Sequence, residues 1–160
     1  VNAKEDGDTK ALAGELRVAG TYAPNVDMVK RASALRDYHL EHELWYTAAE
    51  VAAKVGASNE SDPSQFASQL RLERRLFGVL YHGEYLYPAF QFQTDGSVHP
   101  FVARILTYFL ESTYGWAAVF WFFQPSGHLD GARPADLLQK DPGKALRAAE
   151  KDFVQRDDEF

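Results

Sequence analysis

The chain has no cysteine, which rules out disulfides, thiolate metal sites and a thiol nucleophile. It has no apolar run fit to cross a bilayer either. The longest, "WAAVFWFF", stops at Gln124, where about twenty residues would be needed. The opening "VNAKEDGDTKALAGEL" is charged and lacks the apolar centre of a secretion signal. Positive charge is in short supply: 17 Lys and Arg stand against 23 Asp and Glu, for a formal net charge of −6. Proteins held by non-specific phosphate contacts are normally basic, so any contact with nucleic acid must come from a local patch. These absences lead to the expectation of a cytoplasmic protein with no membrane segment.

What is present is material for a core. Hydrophobic residues make up 46% and aromatics 14% of 160 residues, enough for one ordinary domain or two small ones sharing a core. The expected fold class is mainly α (α+β), helical with one small β-hairpin. Three segments are expected: a variable or helical N-terminal segment over 1–43, a winged helix-turn-helix-like unit over 44–98, and an all-helical domain over 99–160.

Residues 1 to about 24 mix charge with glycine and read as frayed. From Val26 to Leu44, apolar residues recur at helical spacing. Within this helix "HLEHEL" sets His39, His42 and Glu43 at spacings of three and four. A metal would need a further ligand that no spacing supplies, so a solvated helix face is the expectation. Thr47 and Glu50 then form a capping box, and Gly56 offers a left-handed stop. Asp62 and Pro63 start a second helix, whose expected inner stripe is Phe66, Ala67, Leu70 and Phe77.

The outer side of that second helix carries the candidate nucleic-acid residues. Ser64, Ser68, Arg71 and Arg75 follow at spacings of four, three and four, with Arg74 beside them. Small hydroxyls allow close approach to a backbone, and arginines grip phosphate or read guanine. "FGVLYHGEYLYPAFQF" then supplies a hairpin signal around His82-Gly83, with Pro88 placing the returning strand at an edge or at its end. The expected DNA-facing set is Ser64, Ser68, Arg71, Arg74, Arg75 and His82.

Asp95-Gly96 and Pro100 mark a boundary. Phe101, Val102, Ile105, Leu106, Phe109 and Leu110 predict a helix. Trp116, Val119, Phe120 and Phe123 predict the inner stripe of another, with Trp121 and Phe122 pointing elsewhere. Pro125, Gly127 and Gly131 break it. Pro134 starts a short helix with Leu137 and Leu138, and Asp141-Pro142 starts the last one. The acidic end "RDDEF" reads as a solubilising tail. His82, His99 and His128 lie near turns, with Asp95 and Asp130 close to two of them, but in no metal or nucleophile–base spacing. No catalytic residue, cofactor or metal is therefore expected.

The run "HPFVARIL…GWAAVFWFFQPSGHLDGARPADLLQKDPGKALRAAE", about the last third of the chain, resembles the toxin-binding domain of the Xre/MbcA/ParS antitoxin family. The resemblance rests on Trp116, Trp121, Phe122, Leu129, Asp130, Gly131, Pro134, Leu137, Leu138, Ala145 and Ala149. It implies a non-enzymatic antitoxin whose partner is a toxin of the RES-domain type, which consumes NAD or modifies proteins with it. In such families the antitoxin domain covers the toxin's active-site entrance, and the complex often represses its own operon. The expected toxin-facing set is Trp121, Phe122, Leu129, Asp130, Gly131, Arg133 and Pro134, with the Asp130-Gly131 turn leaving Arg133 free to pair with an acidic or phosphate-lined entrance. The usual family N-terminus is a compact all-helical module, and this chain departs from it: residues 44–92 are more similar to winged modules of the excisionase or MerR sort. A homo-oligomer or a hetero-oligomer with the toxin is expected. The alternative is a DNA-binding regulator whose C-terminal domain serves only for dimerisation.

Overall fold

The computed structural model describes residues 8, 10, 12–14, 26–56, 62–110 and 113–157, with side chains followed as far as Val154. The architecture is mainly α with a small antiparallel sheet. In chain order the elements are α1 (Val26–His42), β1 (Trp45–Tyr46), α2 (Ala48–Lys54), α3 (Pro63–Leu72), β2 (Val79–Tyr81) and β3 (Glu84–Pro88). A short 3-10 turn (Ala89–Gln91) leads to α4 (Pro100–Leu106), α5 (Trp116–Phe123), a second 3-10 turn (Gly127–Leu129), α6 (Pro134–Lys140) and α7 (Pro142–Asp157).

Local chemistry sets most of these boundaries. Thr47 Oγ1 accepts from Glu50 N–H at 3.3 Å while Glu50 Oε1 accepts from Thr47 N–H at 3.1 Å, so both halves of the capping box close on α2. Asp62 Oδ1 accepts from Gln65 N–H at 3.2 Å ahead of α3, and Asp141 Oδ1 from Lys144 N–H at 3.2 Å ahead of α7. The unexpected cap is His99, whose Nδ1 accepts from Phe101 N–H at 3.1 Å and opens α4. Asp141 and Asp62 are each followed by a proline that needs no amide partner.

Helix α3 ends earlier than its sequence stripe implies. Arg75 N–H reaches Leu70 O at 3.1 Å and Arg74 N–H reaches Arg71 O at 3.0 Å. This pair of bonds closes a Schellman motif, with Arg74 in its left-handed position at φ 59°. Arg75 therefore does not continue the row of Ser64, Ser68 and Arg71. Phe77 also leaves the expected inner stripe: it lies beyond the helix and stacks on Phe122 of α5, ring centroids 5.4 Å apart. Helix α4 likewise stops at Leu106, where 3-10-type bonds from Tyr108 to Ile105 and Phe109 to Leu106 tighten the chain. Leu110, expected within this helix, lies beyond it and is exposed.

The sheet runs β1-β3-β2, antiparallel throughout. His82 (φ 51°) and Gly83 (φ 80°) make a left-handed pair at the hairpin tip, the backbone of a type I′ turn. Strand β1 is too short to carry a period-2 signal; it forms because β3 offers a free edge, pairing Trp45 with Pro88 and Tyr46 with Tyr87. Pro88 sits at the end of β3.

Two apolar clusters result. Val51, Ala67, Leu70, Leu76, Tyr87 and Phe92 fill the space between α2, α3 and β3. The larger cluster joins Ala32 of α1, Phe77 and Val79 to buried residues of α4, α5, α6 and α7. It thus crosses position 98. Leu12, inside the stretch read as frayed, is fully buried in it; the rest of that stretch lies mostly outside the described residues, as does the end of the acidic tail. Helix α5 is central, as an all-round apolar helix must be. Gln91 pins the two clusters together. Fully buried, its amide accepts from Phe77 N–H (2.9 Å) and donates to Phe77 O (2.8 Å) and Pro88 O (3.2 Å).

Candidate functional site

The segment between α5 and α6 is shaped by its own backbone. Ser126 N–H donates to Ala132 O at 3.0 Å, and Gly131 N–H returns to Ser126 O at 2.9 Å. Ser126 Oγ accepts from His128 N–H at 3.2 Å. Asp130 and Gly131 occupy left-handed backbone, at φ 54° and 84°. The Asp130-Gly131 turn does fix this loop.

Beside it lies a groove of about 500 Å³ bordered by Phe120, Trp121, Gln124, Ser126, His128 and Asp152. Asp152, from α7, organises it. Its Oδ2 accepts from Trp121 Nε1 at 2.8 Å, and its Oδ1 lies 3.2 Å from His128 Nε2. The indole is thereby held half-buried, with one face against Phe109 and Phe153. Serine, histidine and aspartate share this groove, yet no hydrogen bond joins Ser126 Oγ to the imidazole among the described residues; its hydroxyl oxygen serves the His128 amide instead. What the groove offers is an aromatic edge with fixed hydrogen-bonding groups, a surface for binding.

The expected toxin-facing residues fall into three groups. Asp130 and Gly131 are exposed, and Trp121 and Arg133 are half-buried. Phe122, Leu129 and Pro134 are buried. Phe122, expected on a partner-facing side, is instead the α5 residue that packs on Phe77 and Phe90, because its side of α5 faces the core.

Arg133 is not free. Its Nε and Nη2 make a two-pronged pair with Asp136 at 3.0 Å each, Nη1 donates to Glu43 just past α1, and the guanidinium lies 5.2 Å from the Phe123 ring centroid. The hydrogen bonds that Arg133 donates to Asp136 and Glu43 push its pKa further above an already high value, and the same bonding holds the Asp136 carboxyl below its usual range. Glu43 is thus spoken for, and His39 is buried against Phe123 with ring centroids 4.9 Å apart. The His39, His42 and Glu43 face is neither a converging ligand set nor, at His39, a solvated one. Burial pushes the His39 imidazole below its ordinary value, Glu43 opposing and Arg133 and His42 assisting.

The second surface is the outer side of α3 with the hairpin. Ser64, Arg74 and Arg75 are exposed, the last 3.5 Å from Glu73. Arg71 is drawn down instead. Its guanidinium sits 3.9 Å from the Tyr85 ring centroid and donates to Ser68 Oγ at 3.3 Å. Arg71 thereby joins α3 to β3. At the hairpin tip His82 N–H donates to Asp8 at 3.2 Å. The exposed face of α3 presents Ser64, Gln65, Gln69 and Leu72, and the two glutamines carry no spacing signal of their own. Asp152 could not have been found that way, since its partners lie 31 and 24 positions away.

No family model, curated protein or solved structure matches the chain.

Proposed function

We propose that this chain is a non-enzymatic antitoxin of a type II toxin–antitoxin system, which binds and blocks a RES-type, NAD-consuming toxin. One observation supports this reading above others. The segment that resembles the Xre/MbcA/ParS toxin-binding domain folds around the central helix α5, and its Leu-Asp-Gly turn stands out as a backbone-closed loop beside an aromatic groove. A rigid loop loses little entropy on docking, and half-buried tryptophan is among the residues that most often anchor an interface. The test is co-expression with a RES-domain toxin encoded beside this chain, reading growth and cellular NAD. Wild type should protect and Trp121→Ala should not, both folding cooperatively. Equal protection by both would remove Trp121 from the interface; no protection by wild type would end the reading.

A second role, operator binding and autorepression in the cytoplasm, is favoured by the strand order. Helix α1, β1, the α2–α3 pair and a hairpin, with the sheet ordered β1-β3-β2, support reading this part as a winged helix-turn-helix-like unit. The same observation suits a DNA-binding regulator whose C-terminal helices only dimerise. Gel shifts with the chain's own promoter separate the cases. Binding that weakens in Arg74→Ala/Arg75→Ala, with a shallower salt dependence, supports DNA contact; protection from the toxin decides what the C-terminal helices do.

A further inference from the structure

A second groove, of about 280 Å³, shares only His128 with the Trp121 groove. Leu129, Leu137 and Ala148 supply its apolar lining, of which Leu137 is the half-buried part, and Lys144, Arg147 and Lys151 of α7 line it too. Spacings of three and four put these cations on one face of α7, spread over roughly 10 Å. All three are exposed, and none has an ion pair among the described residues. Among the described residues the only carboxylate lining the groove is Asp130; Asp152 next to it is committed to Trp121 and His128. A local excess of positive charge therefore stands on a chain whose net charge is −6, beside the loop closed by the Ser126–Ala132 hydrogen bond.

We propose that this groove receives an acidic, partly apolar segment of the partner protein. The identity of that partner rests on the antitoxin reading; the groove itself does not. A single small anion would meet one or two of the cations, whereas a row of roughly 10 Å matches three or four residues of extended chain at about 3.3 Å each. The half-buried Leu137 suits a protein segment, because the cores of protein interfaces are depleted of charge. A nucleic-acid backbone would set its phosphates against Asp130 and leave Leu137 unused.

The full chain, isotope-labelled for amide NMR, is titrated with a synthetic acidic peptide of alternating Glu and Leu, and separately with oligothymidine. The peptide should shift the amides of Leu129, Ala132 and residues 144–151. Its affinity should fall about tenfold or more in Lys144→Glu/Arg147→Glu/Lys151→Glu and by less in the corresponding Gln triple, which keeps the test open if the Glu triple fails to fold. Lys30→Glu/Arg31→Glu on α1 should bind as wild type does. No shift up to about 1 mM peptide, shifts away from the groove, or tighter binding of oligothymidine at the same amides would each overturn the proposal. Co-expression separates it from the reading it rests on. If wild type protects against the toxin and a folded triple variant protects equally, the groove proposal fails and the antitoxin reading stands. If wild type gives no protection, that reading fails, and the titration alone decides the groove.

Discussion

Arg133 and Glu43, 90 positions apart, are joined by a charge-assisted hydrogen bond that ties the start of α6 to the end of α1. The same guanidinium holds Asp136 with two further bonds and covers the face of Phe123. An arginine that looks available for a partner is instead a clasp within the chain.

Arg133→Ala should therefore destabilise the fold by about 1–3 kcal/mol, since it strands a half-buried Glu43 carboxylate. Glu43→Gln should cost less, because Asp136 still neutralises Arg133. Urea denaturation of both variants and of the double variant gives the coupling. A solvated Arg133 would show none.

Gln91→Leu should lose about 2–4 kcal/mol despite its similar size. It leaves the buried amide and carbonyl of Phe77 without their partners, and each orphaned group costs about 1–3 kcal/mol. The measurement is the urea midpoint at unchanged slope. A loss below about 0.5 kcal/mol would mean that water replaces the amide.

Gly96→Ala should be among the most damaging single changes. Gly96 has φ 90°, and an added Cβ would overlap the Lys54 carbonyl oxygen at the end of α2. Backbone strain alone costs about 1–2 kcal/mol, and the turn must also lift off α2. Thermal melts should show a drop, whereas Gly83→Ala, with nothing near its added Cβ, should show a smaller one.

Stability should fall as the solution is acidified through the histidine range. Burial lowers the folded-state pKa of both His39 and His99 from 6.5. The unfolded chain therefore takes up protons first. Stability is fully present above about pH 6.5 and is lost as pH falls from there through the lowered folded-state values. Asp95, bonded by Ser97, and Asp136, bonded by Arg133, are lowered from 3.8 and act with the same sign in a separate, more acidic window. His39→Phe should flatten the upper window in pH-dependent melts, because neither ring nitrogen of His39 has a hydrogen-bond partner to lose. An unchanged profile in that variant would assign the window to His99, whose protonation removes the α4 cap.

The caps and turns were legible because their physics is local. Thr47 with Glu50, Asp62 with Pro63, His82 with Gly83 and Asp141 with Pro142 each act within three residues, so spacing alone places them. The helical class and the hairpin followed. Position on the surface was another matter. Phe122 and Trp121 are neighbours with the same sequence signal, yet one is sealed by Phe77 and the other is held at a groove by Asp152. Arg71 and Arg75 shared one expected row until the Arg74 backbone turned left-handed and a Tyr85 ring took up the Arg71 guanidinium. Sequence by itself determined the helical class and where the capped helices and the hairpin turn begin, since those free energies depend on residues three or four apart. Only the tertiary structure decided which side chains stay available, because burial and ion pairing are set by partners as distant as Glu43 is from Arg133, and no periodicity records them.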